Sequence, residues 1–142
     1  KRNILRKIIE EESIAFSVGI VSAKQIDKIN ILNASLLAMH KAINKLDKKP
    51  NLLIIDGNRF HSYQNIKHIC IIKGDRKYFS IAAASIIAKT YRDDIMKRLD
   101  MKEPYYLWKK NKGYPTKEHR NAIKSFGVSP NHRKSFRLLP FS

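Results

Sequence analysis

An unbroken apolar run, Leu52-Leu53-Ile54-Ile55, stops abruptly at Asp56-Gly57-Asn58. Apolar residues in series, without polar alternation, describe a strand covered on both faces of a parallel or mixed sheet. The run follows the clearest helical stretch of the chain, residues 25–46, where Ile29, Leu32, Leu36, Met39, Ile43 and Leu46 form one stripe. Asp27 and Asn30 near its start either cap this helix or divide it into a short and a long piece. Lys48-Lys49-Pro50 ends it. A long helix followed by a buried strand is an α/β pattern. A second run, Ile69-Cys70-Ile71-Ile72, stops at Lys73-Gly74-Asp75 and leads into a second long helix, 81–99. The small side chains of Ala82, Ala83, Ala84, Ser85 and Ala88 would let that helix lie close to the sheet. Residues 1–13 read as a helix through the spacing of Ile4, Leu5, Ile8 and Ile9. Residues 15–21 read as a strand with Phe16, Val18 and Ile20 on one face. The tail from about residue 100 is rich in Tyr, Lys, Pro and His, with one short helix expected over 117–125.

At 142 residues the chain is read as one domain, 1–142. With 43% hydrophobic and 29% charged residues it is globular, not disordered. A formal net charge of +17 points to a polyanionic partner, a nucleic acid or an anionic membrane face. Codon bias toward Lys, Ile and Asn explains part of that charge equally well, so charge alone does not carry the reading. One cysteine, Cys70, excludes an internal disulfide framework and a multi-cysteine zinc site, and fits a reducing, cytoplasmic compartment. No apolar run has the length of a membrane span.

Two aspartates stand at strand ends, where ligands of open α/β sheets bind. Asp56 beside Gly57 suits a metal ligand; its plain alternative is a turn-forming Asp-Gly. Asp75, in Lys73-Gly74-Asp75, suits either a ligand or a helix cap. Oxygen donors of this kind select hard cations such as Mg²⁺ or Mn²⁺, which share their shell with substrate phosphates. Two carboxylates are few for two metals, so further acids are expected. The acids Glu10, Glu11 and Glu12 point in different directions from one helix and read as solvated surface. In the tail, Lys112-Gly113-Tyr114-Pro115-Thr116 with His119, and His132-Arg133-Lys134-Ser135-Phe136, suit phosphate and sugar contacts. A solvated basic loop with Phe136 packed on the core explains the same residues. His119 and His132, each isolated in sequence, read as surface or hydrogen-bonded residues ahead of metal ligands.

Taken together these segments resemble ribonuclease HII, essentially end to end. The motifs are Ile26-Asp27-Lys28-Ile29-Asn30-Ile31-Leu32-Asn33-Ala34, Leu37-Ala38-Met39, Ile54-Ile55-Asp56-Gly57-Asn58 and Lys73-Gly74-Asp75. They continue through residues 80–89, Arg92-Asp93 with Met96, Lys112-Gly113-Tyr114-Pro115-Thr116 with His119, and His132-Arg133 with Ser135-Phe136. The resemblance implies a ribonuclease H-like α/β fold, a mixed sheet flanked by helices with a helical and loop-rich carboxyl-terminal tail. It implies metal-dependent endonucleolytic cleavage of RNA in RNA–DNA hybrids and incision at ribonucleotides embedded in duplex DNA, leaving 3′-hydroxyl and 5′-phosphate ends. Asp56 and Asp75 match two of the family's four acidic positions and imply Mn²⁺ or Mg²⁺ binding. Tyr114 matches the tyrosine that reads the ribonucleotide–deoxyribonucleotide junction. Lys89, Arg92, Lys112 and Arg133 are candidate phosphate contacts, and a monomer is expected.

Two departures stand out. Asn111 precedes Lys112 where the family commonly has His, with little expected effect. The family's opening Asp-Glu strand, Gly-Arg-Gly loop and Asn-Asp-Ser-Lys segment do not occur here. The expectation is a polypeptide lacking that amino-terminal segment with its first strands, weak or inactive on its own, its residues 52–55 exposed. The rivals are a non-catalytic nucleic-acid-binding remnant and an unrelated basic binding module. The last would leave Asp56 and Asp75 far apart.

Overall fold

The computed structural model describes residues 1–139, and these group into two compact units. The first unit takes residues 1–20 and 36–91, the second residues 21–35 and those from Arg92 onward.

In chain order the elements are α1 (Arg2–Glu12), α2 (Ala23–Lys45), β1 (Leu52–Asp56), β2 (Lys67–Ile71), the short α3 (Gly74–Lys77) and α4 (Phe79–Lys102). A 3-10 turn, Pro104–Tyr106, precedes α5 (Trp108–Asn111) and α6 (Lys117–Phe126). This is the expected α/β composition.

In the first unit β1 and β2 pair in parallel, with Leu52 opposite Lys67 and Asp56 opposite Ile71. The core joins Ile43 of α2 to Leu53 and Tyr63, with Ile55, Phe60 and Ile66 packed around them. Cover on both faces is not what the strands receive. Leu53 is buried, but Leu52 is 47% and Ile69 52% exposed. Leu52 and Ile69 lie on the same face of this two-stranded ladder, and Leu53, on the opposite face, packs into the core.

Residues 15–21 form no strand. Their carbonyls are met by side chains of α2 instead of a ladder: Lys45 Nζ donates to Val18 O and Lys41 Nζ to Ile20 O, both at 3.2 Å. The Ser17 hydroxyl donates to the Ala42 carbonyl. Gly19 makes this approach possible, because a Cβ there would lie 1.9 Å from Ala38 O.

The helix α1 buries no residue, and Ile4 is 67% exposed. A polar cluster holds the helix: Arg6 Nε and the Tyr91 hydroxyl each reach Glu10 Oε1 at 2.9 Å, and the Arg6 guanidinium lies 3.8 Å from the centre of the Tyr91 ring. Glu10 is therefore structural, while Glu11 and Glu12 are exposed as expected. The small-residue face of α4 does not supply its buried contacts either. Ala84 and Ala88 are exposed, whereas Ile81, Ile87 and Thr90 are buried.

In the second unit a capping box opens α2: Ser22 Oγ accepts from Gln25 N, and Gln25 Oε1 accepts from Ser22 N, both at 3.2 Å. Asn30, at φ 69°, breaks the helix, and its Oδ1 accepts from Asn33 N at 3.0 Å to cap the longer piece. The core here is Tyr106, Trp108, Ala122 and Ile123, with Met96, Leu99, Leu138 and Leu139 against it. His119 and His132 are buried among these rings, their centroids 5.2 Å apart.

Candidate active site

Asp56 is the last residue of β1 and stands exposed beyond the end of the ladder. The next amide, Gly57 N, donates to Ile71 O at 2.9 Å and extends the pairing past the strand. After β2 the chain turns at Lys73, which takes a left-handed conformation (φ 55°), and enters α3 at Gly74. Gly74 is buried, and a Cβ there would lie 2.6 Å from Ile81 Cδ1 and 3.6 Å from Asp56 Cα. The absence of a side chain lets the turn close on β1. Asp56 Oδ1 then accepts from Gly74 N at 2.9 Å. The carboxylate of one candidate thus binds the backbone of the residue preceding the other, Asp75, which is exposed.

The donors are two carboxylates without nitrogen or sulfur, the chemistry of a hard cation that retains water and takes phosphate oxygens. No group of three or more His, Cys, Asp or Glu side chains positioned to hold a metal occurs among the described residues. Two carboxylates offer oxygen donors suited to an open divalent-cation site and fall short of a closed cage. Lys89, also in this unit, is exposed on α4.

Four of the substrate-binding candidates, Arg92 of α4 and three of the tail, come together in the second unit. Lys112 (φ 53°) and Gly113 (φ 84°) are consecutive left-handed residues, and Tyr114 after them is 66% exposed. Arg92 Nη2 donates to Lys112 O at 2.9 Å, and Arg133 Nη2 lies 3.4 Å from Gly113 O. Lys112 Nζ pairs with Asp93 Oδ1 at 2.7 Å. The Arg133 guanidinium stacks 4.0 Å from the centre of the Phe136 ring. Burial, and then the neighbouring Arg92 charge, push the Arg133 pKa down; Tyr114 and Asp27 act against this.

Asp27 does not cap α2. Its carboxylate accepts from Lys134 N at 2.9 Å, from Ser135 N at 2.8 Å and from Ser135 Oγ at 2.6 Å, clasping the segment that carries Arg133. These bonds, the Ser135 hydroxyl first, lower its pKa. Thr116 caps α6 by accepting from His119 N at 3.2 Å.

Two features escape a reading of the sequence. One is the Asp27 clasp, which joins residues distant along the chain. The other is Asn111, a buried amide whose only local signal is the turn-forming Asn-Lys-Gly order. Of the two readings open for the histidines, surface or hydrogen-bonded, the second holds. Both are buried and bonded, His119 Nδ1 to Tyr106 O at 3.2 Å and His132 Nδ1 from Ser129 N at 2.9 Å.

The fold is that of a ribonuclease H-type α/β protein. It is similar to the ribonuclease H2 from Pyrococcus horikoshii OT3 with a TM-score of 0.80, covering 96% of this chain and 72% of that one at 23% sequence identity, a likeness of fold. The family model described as Ribonuclease HII matches residues 1–139. The chain is 62% identical over 139 residues to the Ribonuclease HII of Christiangramia forsetii, covering 98% of this chain and 70% of that protein. It is 61% identical over 140 residues to that of Parabacteroides distasonis, covering 99% and 70%. The chain belongs to the ribonuclease HII family, metal-dependent endonucleases that hydrolyse their substrate. No helix among the described residues is long and apolar enough to cross a membrane.

Proposed function

We propose that this chain acts on RNA–DNA hybrids and on duplex DNA containing ribonucleotides, cutting at the ribonucleotide to leave 3′-hydroxyl and 5′-phosphate ends. The observation that carries this reading is the 2.9 Å bond from Gly74 N to Asp56, which draws two strand-end acids into one locality. Asp56 and Asp75 are the residues to hold Mn²⁺ or Mg²⁺. Such a cation supplies Lewis acidity at a scissile phosphate. The bond from Gly74 fixes the direction of the Asp56 carboxylate, and exposure leaves Asp75 open to solvent and substrate. In the second unit, Arg92 and Arg133 crowd like charges beside one turn, a repulsion that a phosphate backbone relieves. Lys112 and Lys89 add phosphate contacts. The exposed ring of Tyr114 is suited to pack on the deoxyribose after a ribonucleotide. The two units are read as parts of one ribonuclease HII-type domain, monomeric, working in the cytoplasm.

With two carboxylates as candidate donors among the described residues, turnover by this chain is expected to be weak. The same shortage favours a second reading, a nucleic-acid-binding protein without metal-dependent cutting. A labelled duplex with one embedded ribonucleotide, an RNA–DNA hybrid and an all-DNA duplex, each incubated with and without Mn²⁺, separate the two. Slow Mn²⁺-dependent incision of the first two substrates supports the nuclease reading. Binding without incision supports the second, and equal cutting of all-DNA duplex overturns the proposed substrate class. If Lys89, Arg92, Lys112 and Arg133 all meet phosphates, log K falls against log salt with a slope of about −3.6.

A further inference from the structure

The loop that carries Tyr114 is organised by a residue that does not face solvent. Asn111 is 5% exposed at the end of α5. Its Nδ2 donates to Tyr106 O at 2.7 Å, and its Oδ1 accepts from Gly113 N at 2.9 Å. Its backbone carbonyl accepts from Tyr114 N at 2.9 Å. Tyr114 O in turn accepts from Thr116 N at 2.8 Å, ahead of the cap of α6. The backbone of Tyr114 is therefore bonded on both sides while its ring is exposed.

The turn between Asn111 and Tyr114 is one that a chain does not hold unaided. Lys112 is left-handed, a conformation disfavoured for any residue with a Cβ. It persists where its surroundings determine it. Arg92 fastens the Lys112 carbonyl from outside, and Asn111 fastens the Gly113 amide from within. The inner position demands one donor and one acceptor on the same short side chain, because Tyr106 O and Gly113 N lie on its two sides. A carboxylate there would set oxygen against the Tyr106 carbonyl, and an alkyl group would leave both partners without the amide.

We infer that Asn111 is a positioning residue for sugar recognition: its buried amide locks the Lys112-Gly113 turn so that the Tyr114 ring is held for a ribonucleotide–deoxyribonucleotide step. The inference rests on the reading of Tyr114 given above. It assigns junction discrimination to a residue that touches neither sugar nor phosphate.

The test compares the affinity for a duplex with one embedded ribonucleotide against that for the same duplex in DNA alone, in Ca²⁺ to suppress cutting. The ratio of the two affinities is unaffected by the fraction of molecules folded, so a loss of stability alone does not move it. The variants are Tyr114→Ala, Asn111→Asp, Asn111→Leu and Asn111→His, the last because a neutral imidazole keeps one donor and one acceptor. The expected result is a ratio lowered about fivefold by Asn111→Asp and Asn111→Leu, the worth of one hydrogen bond. Tyr114→Ala gives a similar loss, and Asn111→His restores most of the parent value. If Tyr114→Ala lowers the ratio but Asn111→Asp and Asn111→Leu do not, the role of Asn111 is overturned and that of Tyr114 stands. If Tyr114→Ala leaves the ratio unchanged, both are overturned. Should Asn111→Leu not fold, the near-isosteric Asn111→Asp decides alone.

Discussion

Replacing Asp56 by Asn separates the two tasks assigned to its carboxylate. Gly74 N is bonded to Asp56 Oδ1 at 2.9 Å, and an amide oxygen accepts that bond as well. A hydrogen bond to a charged acceptor contributes about 1.5–3 kcal/mol and a neutral one about 1, so Asp56→Asn loses about 1 kcal/mol of stability. Asp56→Ala removes the acceptor altogether and leaves the amide of a buried residue without it, at about 1–3 kcal/mol. For a chain of this size each kcal/mol moves Tm by about 3 °C. Asp56→Asn is therefore expected to melt about 3 °C below the parent in metal-free buffer, and Asp56→Ala up to about 9 °C below. Metal binding reverses the grouping. Mn²⁺ at a hundredfold excess over its Kd stabilises the parent by about 2.7 kcal/mol, or about 8 °C. Both variants lose most of this rise, because one of the two carboxylates that attract the cation is gone from each. Circular dichroism melts with EDTA and across a Mn²⁺ titration give the two metal-free losses and the three Mn²⁺ shifts. A parent-sized Mn²⁺ shift in Asp56→Asn would refute the assignment of Asp56 as a ligand. A metal-free loss in Asp56→Asn as large as in Asp56→Ala would refute the structural half.

Gly19→Ala is expected to destabilise the first unit by about 1–3 kcal/mol, since the new methyl meets Ala38 O at 1.9 Å and backbone has no rotamer to escape by; a urea midpoint equal to that of the parent would contradict this packing. Burial lowers the pKa of His119 and His132 below the ordinary 6.5, with the other imidazole lowering that of His132 further. The unfolded chain therefore takes up protons first. Stability is full above about pH 6.5 and falls as pH drops below it, by up to about 1.4 kcal/mol per pH unit for each imidazole. His132 Nδ1 accepts from Ser129 N, so Nε2 carries the proton of the neutral ring, and a second proton at Nδ1 displaces that bond. Urea midpoints from about pH 7.5 to about pH 5 should show this decline, and His132→Gln should reduce its slope; equal slopes would remove His132 from the explanation.

The α/β order was legible because aliphatic runs and helical stripes are local patterns, and β1, β2, α2 and α4 fall where those patterns lie. The division of α2 at Asn30 was legible for the same reason, since Asn is a favoured cap for the helical turn after it. The error at residues 15–21 has a tertiary cause. Phe16, Val18 and Ile20 alternate as a strand requires, but a strand needs a ladder partner, and the ammonium groups of Lys41 and Lys45 occupy the carbonyls instead. Alternation reports side-chain direction and is silent on what the backbone bonds. The acids at 56 and 75 were individually ambiguous with ordinary turns; the approach of Gly74 to Asp56 depends on Gly74 fitting against Ile81, a contact between side chain and missing side chain. The sequence marks Asn111 as a departure from the family's His but not its burial, because a buried amide and a solvated one are written with the same letter.

The tie between α1 and Tyr91 sets a condition on how this protein can be handled. The helix meets Tyr91 through a hydrogen bond to the Glu10 carboxylate and the Arg6 cation stacked on the ring, contacts of charged groups that dissolved ions weaken, while Ile4, Leu5 and Ile8 are exposed. Raising ionic strength to strip a nucleic acid from the basic surface therefore also slackens the amino-terminal helix. A titration meant to count phosphate contacts registers both events unless the proteolysis of residues 1–13 is followed in the same samples.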